Sequence, residues 1–481
     1  VRRRREFFRI KQFCKIYDRT LNRFTFNIAY ETAVKLTPRS VAVSEAFGLG
    51  LDEQRSFVLY DNVELKIGPG DVVLITGDSG SGKSVLLKAM LKDLGSEAVD
   101  MGSVRVDEGK PLIETVGKTV DEGLNLLSRV GLGDAFLFVR TYEQLSDGQK
   151  YRYRIARMIE SKAKWWFMDE FCATLDRDTA KIVAFNLQKL ARQLHCSCVV
   201  ATSHTDLFAD LGPSVHVHKR YGKEIYIVYY PNESPAECSL VREMQVRPGT
   251  TKDWHALEMF HYRSSHPGAV RKIFALSRAR GEELCGVIIY NYPPMTCLGR
   301  RLVLPGLKPK QLNSQLSMIG RVVVHPKYRS VGLGAKLIRE TLALAGTSCV
   351  ELVAVMAKYN QFAEKAGMRL VLFQVPGKHA LKISRILEEL GFNVKLLGSE
   401  SYILKRLEKL SPGELQQIRN IFAENPHPRL MKEISVNRHK AFGTKADYIA
   451  GLEAADLAKL ASLIRVVGLL LQVKAYLFWQ K

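Results

Sequence analysis

Apolar residues in this chain fall into short continuous runs, each closed by glycine, proline or acidic residues. Val72 to Thr76 reads as a buried strand, followed by a glycine- and serine-rich turn and a helix carrying Val85, Leu86, Leu87 and Met90. Trp165 to Met168 and Cys196 to Thr202 have the same buried-strand character. In the second half, Ile319 to Val324 predicts a strand ahead of a helix with Leu337, Ile338, Leu342 and Leu344, and Cys349 to Met356 predicts another strand. Arg271 to Ser277 and Glu283 to Tyr290 predict a hairpin turning at Arg280-Gly281. Strands alternating with helices make the fold class α/β. Ser411-Pro412-Gly413-Glu414 is a capping box with proline at the first helical position, and the chain beyond it reads as mainly helical. Leu457 to Trp479 is the most apolar stretch, but Lys459, Arg465 and Lys474 within it predict a docked amphipathic helix rather than a membrane span.

The turn after the first strand is Gly77-Asp78-Ser79-Gly80-Ser81-Gly82-Lys83-Ser84, a G-x-x-x-x-G-K-S sequence in its strand–loop–helix setting. Glycines let successive backbone N–H groups face one anion, and the following helix aims its positive end at the same point. Lys83 is placed to reach the β- and γ-phosphates of ATP, and Ser84 to ligate Mg²⁺. Asp169 and Glu170 end the strand Trp165 to Met168. Asp169 suits the Mg²⁺ shell, and Glu170 suits polarising the attacking water.

With these motifs the N-terminal half resembles an ABC-class ATPase. Leu145-Ser146-Asp147-Gly148-Gln149 resembles the signature motif of that class, with Asp147 where glycine is usual, and Ala173-Thr174-Leu175-Asp176 resembles the D-loop. His204 resembles the switch histidine that senses the γ-phosphate. The resemblance implies a head-to-tail homodimer, with Ser146, Gly148 and Gln149 acting on the nucleotide of the other subunit. It leaves the Q-loop glutamine unmatched, with Glu114 in its place, and offers Phe47, Phe57 or Tyr60 as the adenine-stacking aromatic. The segment between P-loop and signature is compact, which argues against a transporter subunit.

A second glycine turn follows the strand Ile319 to Val324. Arg329-Ser330-Val331-Gly332-Leu333-Gly334, after Val322, Val324 and the His325-Pro326 turn, resembles the acetyl-CoA motif of the GNAT acetyltransferases. The backbone of such a loop, at a helix start, suits a pyrophosphate. Phe362 to Met368 resembles the later helix-to-strand segment of that family. Ala363 stands where many members carry a tyrosine acid, and Arg321 where many carry a glutamate base; Tyr359, Glu351 and His325 are the available substitutes. The whole chain resembles archaeal fusions of an ABC ATPase with a GNAT domain. Its expected organisation is a basic arm and leading segment (1–45), an ABC-type ATPase domain (46–235), a GNAT domain (236–400) and a helical basic C-terminal region (401–481).

Charge adds a third expectation. The 481 residues contain 71 Lys+Arg against 49 Asp+Glu, a formal net charge of +22. The excess gathers in Arg2–Arg5, Arg278/Arg280, Arg300/Arg301, Lys308/Lys310 and Arg429 through Lys445, and Trp254, Tyr262, Tyr290 and Tyr292 accompany it. Basic runs beside aromatics suit a nucleic-acid backbone with stacked bases. The function expected is ATP-dependent acetyl transfer to RNA, most of all tRNA. The alternatives are a protein N-acetyltransferase gated by ATP, or a ribosome- or DNA-associated ATPase whose GNAT fold binds CoA or a partner. Eight scattered cysteines and the absence of a signal-peptide pattern suit a cytoplasmic protein. The run His195-Cys196-Ser197-Cys198 reads as strand packing rather than a metal site.

Overall fold

The computed structural model describes residues 8–12, 16–32, 36–48, 56–261, 266–278, 283–297, 299–355, 357, 360–434 and 444–481. Two compact units emerge, Val1–Ile289 with Arg321–Thr341, and Tyr290–Gly320 with Leu342–Lys481.

In the first unit, β1 (Phe8–Gln12), β2 (Tyr17–Asp18), β3 (Arg23–Thr32) and β4 (Ser56–Lys66) form an antiparallel sheet with β3 at its centre. The second sheet holds β5 (Val72–Gly77), β6 (Ala98–Asp100), β7 (Trp165–Met168), β8 (Ser197–Ala201), β9 (Val215–Lys219) and β10 (Ile225–Tyr229), in the order β10-β9-β5-β8-β7-β6. β5 runs parallel to β8 and β9, and β7 parallel to β8 and β6. Parallel pairing brings the carboxyl ends of β5, β6, β7 and β8 to one edge, where ligands of open α/β sheets bind. All of Val72–Ile75 and Trp165–Met168 is buried, as the continuous apolar runs predict. Phe24, Phe26 and Tyr60 from the antiparallel sheet and Leu86 and Met90 from the helix Lys83–Leu94 share one core with β5 and β8.

The first unit continues through β11 (Met244–Pro248), β12 (Val270–Arg278) and β13 (Leu284–Asn291), neighbours in that order. The predicted hairpin is therefore present as β12 and β13, while its turn at Arg280-Gly281 lies outside the described residues. The Arg321–Val324 half of β14 (Leu316–Val324) lies beside β13, with the backbone of His325 donating to Cys285. The helix Leu333–Thr341 follows and buries Leu337 and Ile338.

In the second unit, the Leu316–Ile319 half of β14 pairs in parallel with β15 (Cys349–Ala354). β17 (Lys474–Gln480) lies antiparallel between β15 and β16 (Arg369–Gln374). This corrects the expected helix over Leu457 to Trp479. The helix there is Leu457–Leu470, and the chain then returns as a strand whose Ala475, Tyr476, Leu477 and Phe478 are buried. Helices from Lys378–Glu389 onward build one core, including Ile383, Leu387, Ile403, Phe422 and Ile464. The helical region is thus an insertion between two strands of a sheet. The Ser411 capping box forms as predicted: Ser411 accepts from the Glu414 amide, and Glu414 accepts from the Ser411 amide at 2.7 Å. Among the described residues no helix is long and apolar enough to cross a membrane.

Candidate functional site: two glycine loops and the clamp beside them

The P-loop bends where its glycines allow. Gly77 has φ +138° and lies so close to β9 that a Cβ would stand 1.9 Å from the Lys219 carbonyl oxygen. Gly80 and Gly82 also have positive φ. Lys83 donates to the carbonyls of Gly77 (2.7 Å) and Asp78 (2.6 Å), which holds its charge within the loop. Burial lowers its pKa, against the pull of Asp169 and Asp78. Ser81 is buried and its hydroxyl has no hydrogen-bond partner. A buried orphan hydroxyl beside a confined ammonium fits a loop built around a polyanion. The residues of the loop therefore fit the phosphates of ATP.

Asp169 and Glu170 leave the end of β7 with Glu170 exposed and in a left-handed conformation, φ +48°. Two residues on, Cys172 repeats this at φ +56°. The Phe171 amide donates to the Ala201 carbonyl at 2.7 Å, and the Cys172 amide donates to the Tyr151 hydroxyl at 3.3 Å. His204 follows β8, its amide bonded to the Thr202 hydroxyl. The P-loop, Asp169-Glu170 and His204 thus follow the carboxyl ends of the parallel strands β5, β7 and β8.

Ser146 caps the helix Asp147–Glu160 through a reciprocal capping box with Gln149, and it is exposed. A Cβ at Gly148 would meet Thr179 at 2.8 Å, so the signature turn packs on the start of the helix Arg177–Gln193. Asp176 caps that helix by accepting from the Thr179 amide at 3.1 Å.

Of the adenine-stacking candidates, Tyr60 is core: it is fully buried and its hydroxyl bonds the Gly82 carbonyl. Phe47 and Phe57 are exposed. Sequence reasoning missed Tyr221, an exposed aromatic in the β9–β10 turn whose hydroxyl donates to the Ser79 carbonyl at 2.6 Å. Glu114, proposed for the Q-loop, sits exposed on the short helix Leu112–Thr115. Asp100, also missed, ends β6 beside β7, and burial followed by the charge of Asp169 raises its pKa. The signal was a lone aspartate closing a short apolar run.

The second glycine loop differs. Gly332 has φ +89°, is exposed, and leaves open space where a Cβ would be. Arg329 is committed: it pairs with Asp134 at 2.7 Å and donates to the Val324 carbonyl at 3.2 Å. Ser330, at φ +78°, turns its hydroxyl onto its own chain's Arg329 carbonyl, and its side chain lies against Gly131. Val331 and Leu333 are buried, and Val322 and Val324 are half-buried on β14.

The turn before this loop is gripped from two sides. Arg152, buried in the signature helix, donates to the Lys327 carbonyl at 3.1 Å and the Pro326 carbonyl at 3.5 Å. Burial and the neighbouring Arg329 lower its pKa to about 10. Lys327 pairs with Asp178 at 2.8 Å and lies 3.7 Å from Asp176. Arg278 pairs with the same Asp178 at 2.8 Å and with Glu243 at 2.7 Å.

Several expected surface residues are interior. Arg300 is buried and holds the fully buried Glu351 through two guanidinium bonds of 2.6 and 3.1 Å, while the Tyr476 hydroxyl also donates to Glu351. The Arg300 guanidinium is therefore engaged inside the unit, and both Glu351 oxygens are taken up by Arg300 and Tyr476. Trp254 and Tyr290 are core residues, and Arg278 is tied up in ion pairs. Arg301, Lys308, Lys310, Arg429, Lys445 and Tyr292 remain exposed. Ala363 is buried, and burial lowers the pKa of His325. Arg321 donates to the His266 carbonyl. Arg2–Arg5, Tyr262, Tyr359, Arg438, His439 and Lys440 lie outside the described residues. Cys198 is buried in β8, and the Cys196 thiol bonds the Ala163 carbonyl.

Comparison with known proteins agrees with the first half of this layout. Residues 60–129 match the model of the ABC transporter family. The chain is 29% identical over 215 residues to a phosphonates import ATP-binding protein of Cupriavidus metallidurans, covering 34% of this chain and 75% of that protein. It is 25% identical to a methionine import ATP-binding protein of Rhizobium etli, over 39% of this chain and 62% of the relative. A maltose/maltodextrin import ATP-binding protein of Vibrio vulnificus is 28% identical over 29% of this chain and 46% of its own length. Among solved structures, a dimeric post-hydrolysis state of an ATP-binding cassette with ADP and Pi covers 36% of this chain and 92% of its own, at 19% identity and a TM-score of 0.30. The region near the N-terminus is an ABC-type P-loop ATPase domain.

Proposed function

We propose that this chain couples ATP hydrolysis in its ABC-type domain to an acetyl-CoA-dependent acyltransferase module of GNAT type, with RNA, tRNA foremost, as acceptor. One observation carries the coupling. The stretch between P-loop and signature, where transporter ATPases dock their membrane partners, is engaged from within the chain by Arg329 on Asp134 and by Ser330 against Gly131. The relatives named above serve import, and an import role here needs that stretch open to another protein.

For hydrolysis, backbone amides of Gly77 to Ser84 hold the phosphates and Lys83 neutralises them. Ser84 and Asp169 would hold Mg²⁺, which would supply electrostatic stabilisation of the charge that develops in phosphoryl transfer. Glu170 orients a water for attack on the γ-phosphorus and accepts its proton, as the bond to the β-phosphate oxygen breaks. His204, just beyond β8, would read the γ-phosphate. Ser146, Gly148 and Gln149, on an exposed helix start, would close on the nucleotide of a second copy, giving a head-to-tail homodimer.

For the second module, Gly332 offers the open, positive-φ position at a helix start that a pyrophosphate needs. The RNA reading rests on the net charge of +22 and on exposed Arg301, Lys308, Lys310, Arg429 and Lys445. Loss of Trp254 and Tyr290 to the core favours, as a second reading, a protein amine as acceptor. The deciding experiment supplies purified protein with ATP, acetyl-CoA and tRNA and examines the nucleosides by mass spectrometry. An acetylated nucleoside supports the proposal; acetyl groups found on protein alone support the second reading; acetyl on neither, with ATP hydrolysed, leaves a GNAT fold that binds without transferring.

A further inference from the structure

We propose that Lys327 is a positioning residue for ATP hydrolysis: by clamping the start of the helix Arg177–Gln193 it holds the segment Glu170–Asp176, and with it the Glu170 carboxylate, in place. This rests on the ATPase reading above and goes beyond it, because Lys327 lies more than a hundred residues from every motif assigned to the ATP site. The segment from Glu170 to Asp176 is short and contorted. Glu170 and Cys172 both sit at positive φ without being glycine, and such residues persist only where their surroundings over-determine them. At the upstream end the restraint is β7 and the Phe171–Ala201 backbone bond. At the downstream end it is the helix start, where Asp176 caps and Asp178 occupies the first turn.

Two carboxylates at a helix N-terminus are favoured by the helix dipole, but one more contact decides where that helix start sits. Lys327 reaches Asp178 at 2.8 Å and Asp176 at 3.7 Å. Its own backbone is fixed by Arg152, which comes from the signature helix and is buried. Arg278 meets Asp178 from β12. A half-buried ion pair with fixed partners is stronger and more directional than an exposed one. Lys327 thereby joins three parts that hydrolysis needs in register: the signature helix, the D-loop helix and the strand end bearing Glu170. A displacement of about 1 Å at a reacting group can cost up to a hundredfold in rate.

The experiment measures steady-state ATP hydrolysis for the wild type, Lys327→Met, Lys327→Arg, Asp178→Asn and the double variant Lys327→Met/Asp178→Asn, alongside melting temperature and Mg-ATP affinity. The expected result is a fall in kcat of roughly tenfold for Lys327→Met with KM and nucleotide affinity unchanged. Lys327→Arg should restore most of it, and the double variant should be no worse than the worse single variant. An unchanged kcat in Lys327→Met overturns the proposal. So does a loss matched by weakened nucleotide binding and a lowered melting temperature, and so does additive loss in the double variant. A wild type that hydrolyses no ATP would sink the ATPase reading itself, and this inference with it.

Discussion

The chain holds two glycine loops at strand–helix junctions, and they treat their polar groups in opposite ways. In Gly77–Ser84 the ammonium of Lys83 is kept inside the loop and the Ser81 hydroxyl is buried without a partner. In Arg329–Gly334 the guanidinium of Arg329 is already paired with Asp134, and the Ser330 hydroxyl is used within the loop. A glycine pattern specifies where backbone can bend. It does not specify whether the charge beside the bend is available to a ligand.

The largest effect should come from the first loop's chemistry. Glu170→Gln keeps the shape of the strand end but loses the proton acceptor, so hydrolysis should fall by about 10²–10⁴ while Mg-ATP still binds. Phosphate release and nucleotide affinity measured on the same preparation check both halves. A variant with normal turnover would remove Glu170 from the role and weaken the contrast with the second loop.

Alanine at one glycine in each loop sharpens the contrast at the backbone. Gly77→Ala drives a Cβ to 1.9 Å from the Lys219 carbonyl oxygen, against backbone that cannot give. Loss of roughly 3 kcal/mol or more, or failure to fold, is expected in denaturant melts. Gly332→Ala meets open space and faces only the left-handed conformation, φ +89°, for about 1–2 kcal/mol. Equal losses at the two sites would mean that the loops are built alike.

Asp134→Asn tests whether the second loop can be released. Asp134 also caps a short helix by accepting from the Phe136 amide at 2.9 Å, a role asparagine can keep. The substitution should raise acetyl-CoA affinity several-fold by calorimetry, since removing one charge partner frees Arg329. Unchanged affinity would show that Arg329 takes no part in holding the ligand.

How far the sequence carried the reading follows from what each feature depends on. β5, β7 and β8 and the P-loop helix were legible because their signals are local: continuous apolar runs, then glycine or acid. β17 was not, because Lys474–Gln480 follows a helical pattern and owes its strand form to partners as remote as Cys349. Arg300 looked like surface charge because Glu351, its buried partner, lies 51 residues away. Trp254 and Tyr290 looked like stacking platforms because burial is a tertiary property. The ion cluster at Asp178 stayed invisible for the same reason, since Arg278 and Lys327 approach it from distant parts of the chain.

The smallest expected effect is a flat line. Burial pushes the Asp178 carboxyl up, but bonds from Lys327 and Arg278 bring it below its ordinary value. That pair's stabilisation is therefore present above the ordinary carboxylate pKa and is lost only as pH falls through the lower, folded value. Burial pulls Lys327 down, but Asp178 lifts it above its ordinary value, so its share is lost only as pH rises beyond about 10.5. The depressed pKa of His325, in the same turn, keeps that ring neutral above its ordinary value. The ratio of wild-type to Lys327→Met turnover should accordingly stay constant between about pH 7 and 9. A ratio that drifts across this window would point to a titrating group other than these.

The return of the chain at β17 has a consequence for biosynthesis. β16 ends at Gln374, and the strand that joins it to β15 starts at Lys474. At ordinary elongation rates the ribosome takes roughly 5–20 s to make that interval. By its end the helical insertion has all its own core residues and can pack, whereas β15 and β16 each still wait with a bare edge. Nascent chains paused there would offer a sheet edge to any strand nearby. The hazard is greatest just before the ribosome delivers Tyr476, Leu477 and Phe478.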